Sequence, residues 1–293
     1  MKLGIGLPTW MGNQLEASEV LAWARAAEDA GFHAVTVHDK PNHDTWDPLA
    51  ALAAVAAVTR RVRLVTGALL LPLRDEALVA KQALVIDRLS GGRLDLGVAV
   101  GARADDFELF GRPLAGRGRR FATQVERMRA LWQGAVDTAE SGKGMGPAPA
   151  RPTGPMLWIG GYQPAAIDRA ARYGDGFIFG APGVQMMTDR IPAIRAAASA
   201  VGKPDFPVAG LAYVLPAEDP GELAAGEALM KRYYGDPLHK PFEQLVHSGS
   251  GEQVLEAVRR YEAAGVDVLH LIPVMRSPAG IDRLARDVLP SFG

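Results

Sequence analysis

The sequence predicts a (β/α)8 TIM barrel with loop insertions at the C-terminal face. Eight short apolar runs, each the length of a buried strand, alternate with segments of helical periodicity along the 293 residues. Strands that are apolar throughout are typical of a parallel sheet covered on both faces by helices. Eight such repeats favour a closed barrel, whereas six would favour an open, doubly wound sheet. We therefore expect one barrel domain spanning residues 1–293.

The passage from Gly67 to Gly101 shows this pattern most clearly. Its first strand is an apolar run bounded by Pro72. Across residues 73–89 the apolar positions recur every three or four residues, as they do on one face of a helix. The Gly91-Gly92 pair favours the left-handed conformation that ends helices, and a second buried strand follows it. The passage is therefore predicted to be a parallel βαβ unit.

The remaining elements follow from the same signals. The other predicted strands are residues 2–8, 33–39, 156–161, 176–180, 207–216 and 266–273. The other predicted helices are residues 18–31, 48–60, 119–132, 184–200, 220–234, 252–265 and 279–289, with one more that begins at Pro164. Three segments without clear periodicity are predicted to be loops or surface connections, namely residues 102–118, 139–155 and 235–251.

The composition argues against several classes of function. The formal net charge of −1 and the pI near 6.6 offer no basic excess for nucleic acid or for an anionic membrane surface. No apolar run approaches the roughly 20 residues that cross a bilayer. Without cysteine the chain has no disulfide bond and no thiolate nucleophile. We expect a cytoplasmic protein that acts on a small molecule and binds neither nucleic acid nor membrane.

In a barrel of this kind the active site lies at the carboxyl ends of the strands. The residues at those positions show no Ser-His-Asp order and no group of histidines and carboxylates at metal-ligand spacing. We therefore expect no metal site. A site with so few nucleophiles of its own is consistent with a bound cofactor that carries the chemistry.

Four segments resemble the bacterial luciferase-like monooxygenase family, which comprises flavin- and deazaflavin-dependent oxidoreductases. They are LGIGLPTW at residues 3–10, TGALLLP at residues 66–72, DRLSGGRLDLGV at residues 87–98 and WIGG at residues 158–161. In this order they extend the resemblance over nearly the whole chain. The resemblance implies the same barrel and an oxidoreductase that acts on a small organic substrate.

The resemblance also implies a cofactor site. Gly160 and Gly161 precede a helix N-terminus, where backbone N–H groups and the helix dipole favour a phosphate; from the residues alone, a tight turn is the alternative. Gly67 and Ala68 match the position at which family members have a non-proline cis peptide against the flavin ring. The other expected cofactor contacts are Thr66, Gly101, Arg103 and Gly180, and the expected substrate-pocket residues are Trp10 and Tyr213.

Asp39, Lys40 and His43 are the expected catalytic residues. Family members commonly have an acidic residue followed by histidine at the end of the second strand, where this chain has Asp39 and Lys40. His43 is close enough in sequence to take the acid-base role of that histidine. Alternatively, Lys40 binds an anionic group of the substrate or cofactor. A solvated Asp-Lys pair is the alternative. Strand alternation predicts that His38 points away from the site.

Two cofactors fit the resemblance, reduced FMN with oxygen chemistry and the deazaflavin F-420 with hydride transfer. The run of Arg117, Arg119 and Arg120 offers a clamp for a phosphate or for the acidic tail of a deazaflavin, but a solvated helix face is the favoured interpretation. With FMN, a separate flavin reductase is an expected partner. A non-catalytic flavin-binding barrel is the alternative from another class of function.

The alanine-rich helix that begins at Pro48 predicts a homodimer. Its small residues allow two helices to approach closely, and members of the family often associate through their early helices.

Overall fold

The barrel wall consists of eight parallel strands in the computed structural model, which describes residues 1–11, 15–135, 144–217, 219–275 and 277–292. The strands in these residues are β1 (Lys2–Gly6), β2 (Ala34–Val37), β3 (Arg63–Thr66), β4 (Leu69–Leu70), β5 (Leu94–Ala99), β6 (Met156–Gly160), β7 (Gly176–Ile178), β8 (Val208–Pro216), β9 (Val246–Gly249) and β10 (Val268–Pro273). Strand β10 pairs with both β1 and β8, which closes the barrel. Strands β4 and β9 lie off the wall, paired with β5 and β8. The predicted barrel is confirmed.

The helices cover the outside of this wall. In chain order they are α1 (Ala17–Ala30), α2 (Pro48–Val58), α3 (Glu76–Ser90), α4 (Ala104–Leu109), α5 (Arg117–Trp132), α6 (Pro164–Tyr173), α7 (Val184–Ala200), α8 (Pro220–Tyr234), α9 (Phe242–Leu245), α10 (Gly251–Ala263) and α11 (Ala279–Asp287). Asp47 caps α2 by accepting the N–H groups of Leu49 and Ala50, and Pro48 occupies the first helical position, as expected. Within the described residues, no helix is long and apolar enough to cross a membrane.

Two of the predicted loops contain regular structure. Helix α4 lies within residues 102–118, and α9 and β9 lie within residues 235–251. Both helices are too short to show a periodic apolar face, and β9 offers only Val246 as an apolar strand residue. In the third segment, residues 139–143 lie outside the described part of the chain.

Strand β2 alternates between the two sides of the barrel wall. Val35 and Val37 of β2 pack outward against the helices, and both are fully buried. Inside the barrel, the Thr36 hydroxyl lies 2.6 Å from Nδ1 of His270, and a Cβ atom at Gly4 would come within 2.4 Å of that nitrogen. The interior is thus filled at mid-height, and its two ends remain accessible.

Glu28, near the end of α1, fixes the start of β3. Its carboxylate accepts the backbone N–H groups of Arg60, Arg61 and Val62 at 2.8, 2.5 and 3.0 Å. Burial raises the pKa of Glu28, but these hydrogen bonds outweigh it and bring the pKa below its ordinary value of 4.5. The carboxylate therefore stabilises the fold in its charged form.

We expect Glu28→Gln to lower the free energy of unfolding by about 2–3 kcal/mol, because a neutral amide replaces a charged acceptor of three N–H groups. Since the folded pKa lies below the unfolded one, this stability is present above pH 4.5 and is lost as the pH falls through the folded pKa. Urea unfolding at neutral and acidic pH measures both effects. Glu256→Gln, on an exposed position of α10, is the control; equal losses in the two variants would contradict the assignment.

Candidate active site

A cavity of about 630 Å3 opens at the carboxyl ends of the barrel strands. Its lining brings together seven residues that the sequence analysis selected: Asp39, Gly67, Ala68, Gly101, Gly160, Gly161 and Gly180. These residues end different strands, so closure of the barrel is what assembles them. A second cavity, of about 700 Å3, lies at the amino ends, but in TIM barrels the chemistry takes place at the carboxyl ends.

The part of the cavity beside the Gly67–Ala68 bond is lined by residues with small side chains. The Gly67–Ala68 peptide bond is cis, as the resemblance implied, and both residues line the cavity together with Ala99. Thr66 does not line it: the side chain is fully buried, and the hydroxyl donates to the carbonyl oxygen of Gly97 at 2.7 Å. This end can accept a planar ring system against exposed backbone.

Asp39 holds this end in place. Its carboxylate accepts the backbone N–H of Leu70 at 2.8 Å and pairs with Arg74 at 3.0 Å. Burial raises the pKa of Asp39, and the Arg74 guanidinium opposes that rise. Because both carboxylate oxygens have partners in the protein, the geometry gives Asp39 a positioning role for the turn that follows the cis bond.

The other end of the cavity is built for an anion. Gly160 and Gly161 lead into α6, whose N-terminus has no side-chain cap and faces the cavity beside Gln163. Gly161 has a φ of 155°, a conformation that other residues rarely adopt, and a Cβ atom there would come within 2.6 Å of Ala166. A helix N-terminus with no side chain in front of it favours a phosphate group.

Two arginines line this anion end. Arg117 begins α5 and donates from Nε to the carbonyl oxygen of Gly101 at 2.9 Å, and Arg169 reaches the cavity from α6. Nε of Arg169 is buried and has no partner within the described residues. Burial lowers the pKa of Arg169, and the nearby Arg117 lowers it further. Two nearby cations at an uncapped helix N-terminus are chemically suited to an anion such as phosphate.

Sequence reasoning missed this pair. Arg117 was expected on a solvated helix face, but it is partly buried and lines the cavity. Arg119, two residues further on, is exposed as predicted. Nothing near Arg169 in the sequence indicated a phosphate contact, apart from its position in the first turns of the helix that begins at Pro164. Side chains of helices lean towards the N-terminus, which brings the Arg169 guanidinium back to the cavity.

Arg103 does not line the cavity. Its guanidinium pairs with Asp105 at 2.5 Å and with Asp106 at 3.7 Å, and Asn42 donates to Asp105 at 2.5 Å. Burial raises the pKa of Asp106, which is 1% exposed. The predicted cofactor contact is thus replaced by a cluster of charges at the entrance to the barrel.

Lys40 faces this cluster from a buried position. Its ammonium donates to the backbone carbonyl of Tyr233 and lies 3.9 Å from the centre of the Tyr233 ring. Burial lowers the pKa of Lys40 to about 8; Arg103 adds to the lowering, while Asp106 and Asp105 oppose it. The centre of the His43 ring lies 6.0 Å from that of Tyr233. Lys40 and His43 are therefore close together, and Lys40 can change protonation state near physiological pH.

An aromatic wall, which we define as Trp10, His38, Tyr213, Tyr233 and Tyr234, continues from Lys40 across the mouth of the barrel. The centre of the Trp10 ring lies 6.1 Å from that of Tyr213 and 5.3 Å from that of Tyr233, both edge to face. The hydroxyl groups of Tyr213 and Tyr234 form a hydrogen bond of 2.9 Å. The two predicted pocket residues, Trp10 and Tyr213, thus lie in contact. Tyr233 and Tyr234 were not predicted to join them.

The prediction that His38 points away from the site is wrong. Its ring is parallel to that of Tyr213 within 6°, with centres 6.4 Å apart. Alternation along β2 places Thr36 inside the barrel, and His38, two residues later, follows it to the same side. Asp39 still reaches the cavity because β2 ends at Val37 and the chain turns there.

The comparisons with known proteins place the chain in a family. A family model described as luciferase-like monooxygenase matches residues 1–268. The chain belongs to the luciferase-like monooxygenase family. Members of this family are oxidoreductases, so the expected class of enzyme is confirmed at the level of the family. Within the described residues, no group of three or more histidine, aspartate or glutamate side chains is arranged to hold a metal ion.

Several relatives of this luciferase-like chain are known. An uncharacterized protein of Mycobacterium tuberculosis is 35% identical over 189 residues, which are 54% of this chain and 63% of that protein. The oxygenase component of the flavin-dependent trigonelline monooxygenase of Acinetobacter baylyi is 22% identical, and the match covers 94% of this chain and 89% of that protein. An F420-dependent glucose-6-phosphate dehydrogenase of Amycolatopsis mediterranei is 28% identical, and the match covers 65% of this chain and 62% of that protein.

One solved structure covers the full length of this luciferase-like chain. The monooxygenase RslO1 from Streptomyces bottropensis superposes with a TM-score of 0.81 at 26% identity, over 100% of both chains. The barrel fold is thus shared with that monooxygenase over the full length of both chains.

Proposed function

We propose that this protein is an oxidoreductase of the luciferase-like family that binds reduced FMN and oxidises a small organic substrate with oxygen. The observation that carries the proposal is the cavity itself. It has an end with small side chains at Gly67–Ala68 and an end with two arginines at the N-terminus of α6. A cofactor with a planar ring system and a phosphate group fits these two parts of the cavity, with the ring at Gly67–Ala68 and the phosphate at the arginines. The flavin-dependent oxygenase component from Acinetobacter baylyi supports a flavin cofactor.

In this proposal each part of the cavity has one task. Arg117 and Arg169 hold the phosphate, with Gly160 and Gly161 letting it approach the backbone closely. The Gly67–Ala68 segment supports the flavin ring, and Asp39 fixes that segment through Leu70 and Arg74. Bound reduced FMN supplies the electrons for the reaction with oxygen. The aromatic wall excludes water from the space above the ring.

Lys40 is the proposed proton-transfer residue. Lys40 does not line the cavity, but its ammonium lies against Tyr233 of the aromatic wall. Its pKa of about 8 suits proton transfer near neutral pH. His43, close to Lys40 beside Tyr233, is the second candidate for this role. Thr66 and Arg103 have no cofactor contact in this account.

The deazaflavin F-420 is the second candidate cofactor. The F420-dependent dehydrogenase from Amycolatopsis mediterranei supports it. The same cavity would hold its ring and phosphate, and the reaction would be hydride transfer without oxygen. The phosphate contacts are shared by both cofactors, so only direct binding and turnover separate them.

A separate flavin reductase is the proposed partner if FMN is the cofactor, since the relative from Acinetobacter baylyi is the oxygenase component of its monooxygenase. The cytoplasmic location and the single-domain organisation expected from the sequence stay predictions.

Turnover with a reductase tests the proposal. The purified protein is supplied with FMN, NADH, a separate flavin reductase and a panel of phenols, ketones, aldehydes and amines under labelled oxygen. Mass spectrometry then detects transfer of an oxygen atom to a substrate. The same panel with F-420 detects hydride transfer from the change in cofactor absorbance. Absence of turnover with either cofactor, despite tight binding, would favour the non-catalytic flavin-binding barrel instead.

We also propose a homodimer formed through α2 and α3. Leu78, Val85 and Leu89 are 58%, 38% and 56% exposed along one face of α3. Helix α3 packs against α2, which presents the exposed small side chains of Ala50 and Ala54. These apolar side chains lie among the exposed polar residues Lys81, Gln82 and Arg88, and together with the small residues of α2 they favour association with a second copy.

We expect Leu89→Glu to convert a dimer at micromolar concentration into a monomer, because it places a charge in the apolar contact. Light scattering after size-exclusion chromatography measures the mass. Val201→Glu, at a 52% exposed position just after α7, should leave the dimer intact. A monomeric wild-type protein would contradict the proposal.

A further inference from the structure

Polar groups at the aromatic wall lack hydrogen-bond partners. Within the described residues, the Thr9 hydroxyl, the Trp10 indole nitrogen and both ring nitrogens of His38 are buried and unpaired. Trp10 is 4% exposed and His38 8% exposed. Buried polar groups in proteins are almost always paired, because leaving one unpaired costs free energy. Thr9 and Trp10 are adjacent in sequence, and the rings of Trp10 and His38 both lie against Tyr213, so their unpaired groups are suited to a partner that is not part of the protein.

These groups lie directly beside the proposed flavin position. The backbone N–H of Gly67 donates to the carbonyl oxygen of Val37 at 2.9 Å, so His38 stands next to the Gly67–Ala68 bond on the neighbouring strand. Tyr162 lines the cavity and interacts electrostatically with both Tyr213 and Tyr234. The aromatic wall therefore borders the cavity on the side where a substrate would meet the cofactor.

The unpaired groups differ in what they offer. The Trp10 indole is a donor only, and the Thr9 hydroxyl both donates and accepts. Burial lowers the pKa of His38 to about 4, so its ring is neutral at physiological pH and offers one donor and one acceptor. A hydroxyl group also donates once and accepts, so it can bond to His38 and Trp10 together. A carboxylate can only accept, so it cannot donate to the acceptor nitrogen of His38.

The aromatic side chains around these groups favour a ligand with an aromatic ring. The rings of Trp10, Tyr213 and Tyr233 meet edge to face, and such surfaces favour a further aromatic ring over an aliphatic chain. Tyr233 and Tyr234 occupy the last turn of α8, immediately before Gly235, and Tyr234 is 39% exposed. This helix end forms the side through which a flat ligand enters.

We propose that the aromatic wall is the substrate-recognition surface and that it binds a phenol, with the ring against Tyr213 and the hydroxyl group bonded to His38 and Trp10. This inference rests on the proposed function and deepens it by naming the class of substrate. His38 and Trp10 are specificity-determining residues in this assignment, and neither transfers a proton in the reaction.

The test uses 2-naphthol, naphthalene and 1-decanol as probes, titrated into the protein loaded with FMN or F-420 and into the cofactor-free protein. We expect 2-naphthol to bind at least about tenfold more tightly than either other probe. Trp10→Phe and His38→Phe should each weaken 2-naphthol binding by about tenfold and leave naphthalene binding unchanged, since each removes hydrogen-bonding groups and keeps an aromatic ring.

Trp158→Phe is the matched control. The Trp158 indole nitrogen is also buried and unpaired within the described residues, but it lines the cavity at the amino end of the barrel. This variant should bind all three probes as the wild type does.

Equal binding of 2-naphthol and naphthalene, equal binding of 2-naphthol and 1-decanol, or unchanged 2-naphthol binding in both wall variants would overturn the inference. Cofactor titrations of the same proteins are read separately. If neither FMN nor F-420 binds while the preference for 2-naphthol persists, the proposed function fails and the phenol site stands.

Discussion

Replacing Arg117 and Arg169 together by glutamine is expected to weaken FMN binding by roughly 100-fold to 10,000-fold. Each arginine offers a charge-assisted hydrogen bond to the phosphate, and such bonds contribute ~1.5–3 kcal/mol each, with ~1.4 kcal/mol per factor of ten. Each single variant should lose about the square root of the combined factor. Isothermal titration calorimetry with FMN measures the loss directly.

Riboflavin and Arg172→Gln provide the controls for this experiment. Riboflavin lacks the phosphate, so its binding should change little in the double variant; a parallel loss would show a general disturbance of the cavity. Arg172 lies on the same helix as Arg169 but contacts Tyr173, with 5.0 Å between its guanidinium carbon and the ring centre. If Arg172→Gln weakens FMN binding as much as Arg169→Gln does, the phosphate site is wrongly placed.

Lys40→Met is expected to lower kcat by roughly 100-fold to 10,000-fold, the usual contribution of a positioned proton-transfer group. The ammonium form acts as the acid. Burial lowers the pKa of Lys40 to about 8, so the wild-type rate should be constant well below pH 8 and fall as the pH rises through it. Lys40→Arg keeps its charge at all these pH values but cannot release a proton, so its rate should be as low as that of Lys40→Met and should show no decline above pH 8.

The pKa of Lys40 can also be measured without a substrate. A 13C NMR titration of labelled lysines should show one resonance with a midpoint near 8 that is absent from Lys40→Met. Lys203→Met is the control, because Lys203 donates to the carbonyl oxygens of Ala171 and Gly174, away from the cavity. The signal assigned to Lys40 should persist in this variant. A Lys40 midpoint at an ordinary lysine value would contradict the buried position.

The barrel could be predicted because its signals are local. Strands covered on both faces are apolar throughout, as in Val208–Pro216, where all residues are buried. Helix ends follow from single residues, such as Gly91 with its φ of 68° after α3. The short elements α4, α9 and β9 escaped prediction because four to six residues cannot display a period, and tertiary contacts decide their structure.

The candidate site could be predicted only in part. Glycines at strand ends identify the cavity because they lie in or next to buried strands, as with Gly160 at the end of β6. The arginine pair, in contrast, joins α5 to α6, and the aromatic wall joins Trp10 to the end of α8, more than 200 residues away. Such contacts depend on how the barrel closes, and no local pattern shows them. His38 was placed on the wrong side because alternation was counted from Asp39, where the strand has already ended.

The most direct test of the account is equilibrium binding of FMN, F-420 and riboflavin to the purified protein, followed by the quenching of tryptophan fluorescence. We predict that FMN or F-420 binds at micromolar concentration or below, and that riboflavin binds at least about 100-fold more weakly than FMN, because it lacks the phosphate held by Arg117 and Arg169. If neither phosphorylated cofactor binds, or if riboflavin binds as tightly as FMN, the cavity is not the cofactor site proposed for it.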